Sequence, residues 1–556
     1  MSKAKILILV LVVTLLVSGC ASTPTTTTGT TGGTTTKATT TVATTSATTT
    51  AEPLYFNETG MPIVDEPITL KIAGRFTSFQ TTWKDNLQLE YLTEMTGIKF
   101  DGDGLSTEGW QEQKSLMFAS DSLPDLFIAS DFSAYELLEY GSEGQLVALN
   151  DLVDSYGPAI QNAFAEFPVA KAMSTSGDGN MYTLPRINPV IRDMHSRYWL
   201  NKVWLDRLGK QVPTTLDELY DVLKAFKDED ANGNGDPSDE IPLSGVNGGG
   251  EYSGLILNAL GVNVRNGDYN ITATEDGTVY CANISDAYKE YLKYMNRLYS
   301  EQILDNDLFV QNNDQLVAKA QQNIIGGANV AAMYITAGVD IGYDYIQIDA
   351  LTSALSNKKM VSASTGVSVG HTAITNVNEY PEATIRLLDY FYTEEGGRMA
   401  YVGVEDVGWY WIDKAKGVWD KMQPEGYNNA EEFRNSKSTI QNGGWGAWER
   451  AEFNAGQGSE NALWLNEMSI RDSFPYFVTQ FPKNYLPLNE EDSKTVTTIE
   501  ADLTNYITQA RARFITGEDD VDAKWEEYVT QVKNMGIEQI VSIYQEYYDV
   551  FLENMG

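Results

Sequence analysis

Asp230, Asn232 and Asn234 occupy alternate positions in DEDANGNGDPSDEIPLS (Asp228 to Ser244), with Gly235 sixth in that loop, Asp236 seventh, and Asp239 and Glu240 close behind. Short Asx side chains at this spacing curl a backbone until their oxygens face one centre, and a glycine takes the sharp turn between them. A hard cation needing six to eight oxygens matches such a set. Asp230, Asn232, Asn234, Asp236 (through its carbonyl), Asp239 and Glu240 therefore read as a Ca²⁺ loop with a structural role. It departs from an EF-hand in two respects: the acidic pair stands at places ten and eleven, and a proline-bearing IPL segment follows it where a helix would be. The competing reading is a solvated loop of Asx turns.

A second group pairs carboxylates with indoles. GVEDVGWYW (Gly403 to Trp411) and NGGWGAWER (Asn442 to Arg450) place Glu405, Asp406 and Glu449 near Trp409 and Trp445 among glycines. Indole faces stack on the apolar faces of pyranoses while carboxylates, amides and guanidinia bond their hydroxyls. The same carboxylates could act as the acid and base of a secreted glycoside hydrolase or lyase. With two histidines, His195 and His371, and two cysteines, Cys20 and Cys281, neither a Cys/His zinc site nor a disulfide framework can be assembled. Cys281 reads as a small core residue.

The chain that must position these groups has 556 residues and a formal net charge of -38, which disfavours nucleic acid as a partner. It opens with Lys3 and Lys5 and a run from Ile6 to Val17 that is apolar except for Thr14 and ends in VSGC, Val17 to Cys20. As a helix the run spans only ~18 Å, too short for a bilayer core, so residues 1–19 read as a signal peptide. VSGC resembles the bacterial lipobox, which implies lipidation at Cys20. The Thr-rich stretch that follows, to residue 53, reads as a disordered tether.

Beyond it, short apolar runs alternate with helix-period segments, the signature of an α/β protein. Ile68–Gly74, Leu126–Ser130 and Ala331–Thr336 are expected as strands. Thr214–Phe226, Ile284–Leu304 and almost everything from Ile499 onward are expected as helices.

Leu200 to Gly245, the helix followed by the acidic loop, resembles the large extracellular solute-binding proteins of carbohydrate ABC importers, family one, the group of the alginate-oligosaccharide binding proteins. ASDSLPDLF (Ala119 to Phe127), YGSEGQLVALNDLVDSYGPAI (Tyr140 to Ile160), GDGNMYTLP (Gly177 to Pro185) and the segment Arg513 to Asp549 are similar to further landmarks of that family. The resemblance implies a two-lobed periplasmic-binding-protein-like fold with a hinge and a ligand cleft between the lobes. It implies an N-terminal lobe of 54–184 plus about 345–412 and a C-terminal lobe of about 185–344 plus 413–556. It carries Ca²⁺ binding to the 230–240 loop, and implies an oligosaccharide ligand, an ABC permease as partner and a monomer on the outer face of the membrane, lipid-anchored, with no enzymatic activity.

Cleft loops in such folds follow strand carboxyl ends. Arg75, Phe76 and Trp83 follow the first strand, Asp131 and Phe132 the LFIAS segment, and Arg192, Arg197, Tyr198 and Trp199 the first crossing. Arg75, Trp83, Arg197, Trp199, Glu405, Trp409 and Trp445 are the expected substrate-binding residues. Arg186 joins Arg75, Arg192 and Arg197 as a possible positive patch for an acidic sugar. A peptide receptor is the remaining alternative.

Overall fold

The computed structural model describes residues 55–555 apart from 77–78, 247, 349, 428 and 441–443. The expected leader, Cys20 and the tether lie outside the described residues. Among those described, no helix is long and apolar enough to cross a membrane.

Strand Ile68–Arg75 pairs in parallel with Ile98–Leu105 along its whole length and with Leu126–Phe127 at its end, and Ala373–Ile374 closes the sheet antiparallel to Leu126–Phe127. Its alternate residues Leu70 and Ile72 are buried among Leu89, Leu92, Leu126 and Ile128. The LFIAS segment keeps its ladder for only two residues, because Ala129 and Asp131 turn into left-handed backbone (φ 52° and 48°). Two more short sheets follow. One sets Arg186–Ile187 between Val367–Ser368 and Ala447–Trp448; the other sets Tyr198–Asn201 between Gly327–Asn329 and Tyr345–Gln347.

The segment expected as a strand at Ala331–Thr336 is instead a helical turn, Met333–Thr336, placed just after the true strand Gly327–Asn329. The reason is local. Asn329 donates its side-chain amide to the Arg197 carbonyl (2.7 Å), the ladder stops there, and Ala332, Met333 and Ala337 then bury at helical spacing beside Trp199.

The expected helices form and explain their own ends. Leu216–Asp228 is capped by Thr215, whose hydroxyl accepts from the Glu218 N–H (3.1 Å), and buries Leu219, Leu223 and Phe226. Asp286–Ser300 is capped by Ser285 and buries Tyr288, Tyr291, Leu292, Met295 and Leu298 along one face. The C-terminal part is three helices, Glu490–Thr516, Val521–Asn534 and Ile537–Met555.

Two large apolar cores result, and the fold is two-lobed. One holds residues from Phe56 to Ile187 and from Val367 to Trp448; the other holds Tyr198 to Leu351 and Leu486 to Tyr544. The chain therefore passes between them three times. These crossings touch one another: His195 bridges to Ala363, and Val361–Ala363 pairs in parallel with Phe477–Thr479. A band of laterally bonded crossings with separate cores on either side is the architecture of a hinge.

Candidate functional site

The sharp turn after Leu126–Phe127 begins the wall of the main cavity. Its backbone is held by Ala129 N–H to the Gly444 carbonyl, Ser130 N–H to His371 and Phe132 N–H to Gly370. Gly370 has φ 84°, and a Cβ there would stand 2.2 Å from the Phe132 carbonyl oxygen, so only glycine lets the two loops close. Beneath them lies a fully buried lysine, Lys114, donating to the Asp131 carbonyl (3.2 Å) and to Glu136 (3.0 Å) and sitting 4.5 Å from the Phe132 ring centre. Burial pushes its ammonium down from the ordinary value, while Glu136 opposes that shift. Ser133 and Glu136 then form a capping box that starts helix Ala134–Ser142. A strained turn, a buried cation and a cap together fix one loop, a degree of reinforcement expected where a surface must be pre-shaped.

Phe132 to Tyr135 open onto a cavity of about 760 Å³. Met173–Gly177 and Val369 complete the wall from the first core; the start of helix Glu490–Thr516, Tyr544 and residues 483–488 supply the wall from the second. Its volume falls in the range of ligand pockets, and its polar groups are mostly hydroxyls and amides: Ser133, Thr175, Asn484, Thr497, Thr504 and Asn505. Its two charged groups, Lys483 and Glu500, face each other at 3.1 Å, and Glu500 also accepts from the Tyr544 hydroxyl. This is a half-open cavity lined for many neutral hydrogen bonds.

The acidic loop at 230–240 has the oxygen-rich shape its sequence implies. Gly235 takes φ 92°, and its N–H donates to Asp230 (3.0 Å); the Asn234 and Asp236 N–H groups donate to Asn232 (2.9 Å) and Asn234 (2.7 Å). Asp239 accepts the side-chain amides of Asn232 (2.9 Å) and Asn234 (2.7 Å), and Asp236 accepts from Ser238. In this loop one carboxylate oxygen of Asp230 and one of Glu240 are buried without a hydrogen-bond partner among the described residues. Burial raises the Glu240 carboxyl above its ordinary value. Among the described residues no three His, Cys, Asp or Glu side chains are grouped to hold a metal. The all-oxygen set and the two orphaned carboxylate oxygens nevertheless fit a hard cation, with the asparagine and backbone carbonyls making up the number.

The sequence from residue 73 to 398, more than half of the chain, matches the family model described as bacterial extracellular solute-binding protein. The chain belongs to that family. The solute-binding protein is 26% identical over 490 residues to the fructooligosaccharide ABC transporter substrate-binding protein FusA of Streptococcus pneumoniae, covering 84% of this chain and 88% of FusA. The structure of FusA in complex with kestose superposes with a TM-score of 0.75 at 25% identity, covering 88% of this chain and 100% of FusA. A second FusA structure is of an EF-hand mutant with fructo-nystose. Two further structures share the fold: a human-milk-oligosaccharide binding protein of Bifidobacterium longum infantis (TM-score 0.75, 22% identity, 88% of this chain and 99% of that one) and the alginate-binding protein AlgQ2 without calcium ion (0.69, 23%, 88% and 100%).

In this solute-binding protein the expected ligand-binding indoles are buried. Trp445 is fully buried, stacked on Phe391 at 4.9 Å with its N–H on Gln88, and Trp83 is buried against Phe76. Trp409 lies inside a cluster with Trp411, Trp419 and Phe453. Trp199 is buried too, but stacks at 5.1 Å on Trp464, which is only partly covered and which Tyr343 meets edge-on. Trp464 went unnoticed in the sequence, because an indole inside a helix, here Glu460–Met468, gives no sign of which face it presents; Tyr334, edge-on to it, lies in the segment expected as a strand. Glu405 is exposed and paired with Lys414 (3.1 Å), far in environment from Glu449, which is 1% exposed and bonded to Arg186 (2.7 Å).

The expected positive patch is internally compensated. Arg75 pairs with Asp131; Arg197 donates to the Ala331 carbonyl (2.6 Å) and lies 3.6 Å from Asp193; Arg192 donates to Asn466, Tyr401 and Asn454. Nearby, Glu431 takes both Arg434 (2.7 Å) and Lys421 (2.5 Å), and these cations outweigh burial to hold its carboxyl below the usual range. His371 lies near Arg75, Arg186 and Asp131, 2.8 Å from the Ser368 hydroxyl.

Burial, helped by Arg186 and Arg75 and opposed by Asp131, pushes the His371 imidazole down from 6.5 to about 4. Its contribution to folding is thus complete above pH ~6.5 and lost as pH falls through about 4, since the unfolded chain takes up the proton first. The ring keeps some solvent contact, so the loss is on the order of 2 kcal/mol. Urea unfolding of the wild type and His371→Gln near neutrality and in mild acid measures it: the variant loses less stability on acidification, and equal losses contradict the assignment.

Proposed function

We propose that this chain is a lipid-anchored receptor of an ABC importer that takes up an oligosaccharide in the cavity between its two cores, closes about the hinge band and passes the sugar to the permease. The observation that carries this reading is the cavity of about 760 Å³ between two cores, lined by hydroxyls, amides and the rings of Phe132, Tyr135 and Tyr485. Rings against sugar faces and neutral polar groups against sugar hydroxyls are the contacts an uncharged or weakly charged glycan needs. The fructooligosaccharide-binding relative supports the same class. Trp464 and Tyr343 are proposed as a stacking platform outside the cavity, backed by Trp199. Of the residues expected from sequence, Arg75 and Arg197 act by holding loops in place; Glu405 remains available on the surface, while Trp83, Trp409 and Trp445 act as core supports.

The lobes are proposed to run from 55 to 187 plus 367 to 448, and from 198 to 351 plus 486 to 555, following the two cores. Ca²⁺ is proposed for the 230–240 loop as a structural ion, supported by its orphaned carboxylate oxygens and by the EF-hand and calcium descriptions of FusA and AlgQ2. The leader and Cys20 support anchoring at the outer face of the membrane, and the receptor is proposed to act as a monomer and to perform no chemistry, so that binding energy is used only to shift the open and closed populations.

A melting-temperature screen across fructans, milk-type glycans, uronides and peptides tests this. A ligand at about a hundred times its Kd adds roughly 2.7 kcal/mol to stability. One glycan class should raise the transition; a shift with peptides alone would replace the sugar reading by the peptide one.

A further inference from the structure

Beside the main cavity lies a smaller pocket of about 180 Å³, below the size that holds an oligosaccharide. Its walls are Asn263, Arg265 and Tyr269 from the second core and Gln480, Lys483 and Asn484 from the chain that has just crossed the hinge. Lys483, Asn484 and Tyr485 line both spaces, so the two adjoin.

Arg265 differs from every arginine discussed above. It forms no ion pair and no hydrogen bond among the described residues, although it is only partly exposed and packs near Tyr198 and Tyr485. Withdrawing a guanidinium from water without a counter-charge is costly, and that cost is recovered when an anion arrives. Two further groups point the same way. The Tyr269 hydroxyl is buried and has no partner at hydrogen-bond distance among the described residues, with Glu500 the carboxylate nearby. The Lys483 ammonium lies 4.5 Å from the centre of the Tyr269 ring and, among the described residues, pairs with one carboxylate, Glu500 at 3.1 Å, which Tyr544 also engages. Two cations and a hydroxyl donor against one shared carboxylate leave the pocket short of negative charge.

We propose that this pocket binds one oxyanion, a carboxylate, sulfate or phosphate group, gripped by the Arg265 fork with Lys483 and the Tyr269 hydroxyl as further donors. A planar guanidinium suits such groups because its N–H pairs match two oxygens at once. Two sources share this chemistry: a free inorganic anion, and an acidic substituent on a sugar seated next door. Because Gln480 to Tyr485 belong to the crossing chain, either would tie the hinge to the second core.

Calorimetric titration of the full chain with sodium sulfate at constant ionic strength, for the wild type and Arg265→Gln, tests the free ion. Titration with a neutral oligosaccharide and its uronic-acid counterpart tests the substituent. A free-ion site shows saturable sulfate binding that Arg265→Gln weakens at least about tenfold, with both sugars unaffected. A substituent site shows about a tenfold loss for the acidic sugar alone in the same variant. If neither sulfate nor acidic-sugar affinity depends on Arg265, the proposal is overturned. Should Arg265→Gln fail to fold, crystals of the wild type soaked in selenate decide: an anomalous peak at the Arg265 guanidinium supports the site, and none at saturating selenate overturns it. The sulfate and selenate arms need no sugar, so failure of the oligosaccharide reading leaves them intact.

Discussion

Chelation of Ca²⁺ should lower the melting temperature of this protein by several degrees, and Asp230→Asn or Glu240→Gln should abolish most of the difference between calcium and chelator. Both residues keep a carboxylate oxygen buried and unbonded, a cost of roughly 1–3 kcal/mol or more each when no cation offsets it. An ion present at about a thousand times its Kd adds about 4 kcal/mol through mass action alone. Asp236→Asn should matter far less, since that side chain is exposed and already satisfied by Ser238. Differential scanning calorimetry of the three variants with and without chelator measures this order. Identical melting of the wild type under both conditions would leave the loop as a self-bonded turn.

Glu449→Gln should destabilise the fold by about 3–5 kcal/mol, whereas Glu405→Gln should stay within about 0.5 kcal/mol of the wild type. Glu449 is the counter-charge to Arg186, at the join of Arg186–Ile187 with Ala447–Trp448, and its loss strands a cation inside the first core. Glu405 holds only a surface lysine. The same pair bears on the hydrolase alternative. A glycosidase needs two carboxylates flanking one bond, yet these two differ in burial, partner and surroundings. Chemical denaturation of both variants separates the cases, and a Glu449→Gln protein as stable as the wild type would refute the structural role.

The parts of this molecule written in local sequence were legible: the amphipathic faces of helices Leu216–Asp228 and Asp286–Ser300, to within a few residues of their ends, and the first strand. The acidic loop was legible for the same reason, since all its ligand candidates lie within eleven consecutive positions. What failed was anything decided by distant partners. Ala331–Thr336 has strand composition, but the ladder it would join ends at Asn329. Trp409 and Trp445 looked available because glycines and carboxylates surround them in sequence; Phe453 buries the first, and Gln88 and Phe391, far away in the chain, bury the second. The cavity was missed because its second wall is the start of helix Glu490–Thr516, whose Thr497, Thr504 and Asn505 look like ordinary solvent-facing positions. Arg265 carries no motif at all; it stands out only because no counter-charge faces it among the described residues.

The most direct test is calorimetric titration of the full, calcium-loaded chain with the oligosaccharide giving the largest melting shift, followed by chromatography of the recovered sugar. The account predicts saturable binding of one sugar per chain and recovery of that sugar at its original length. No saturable heat with any oligosaccharide, or recovery of shortened products, would contradict it.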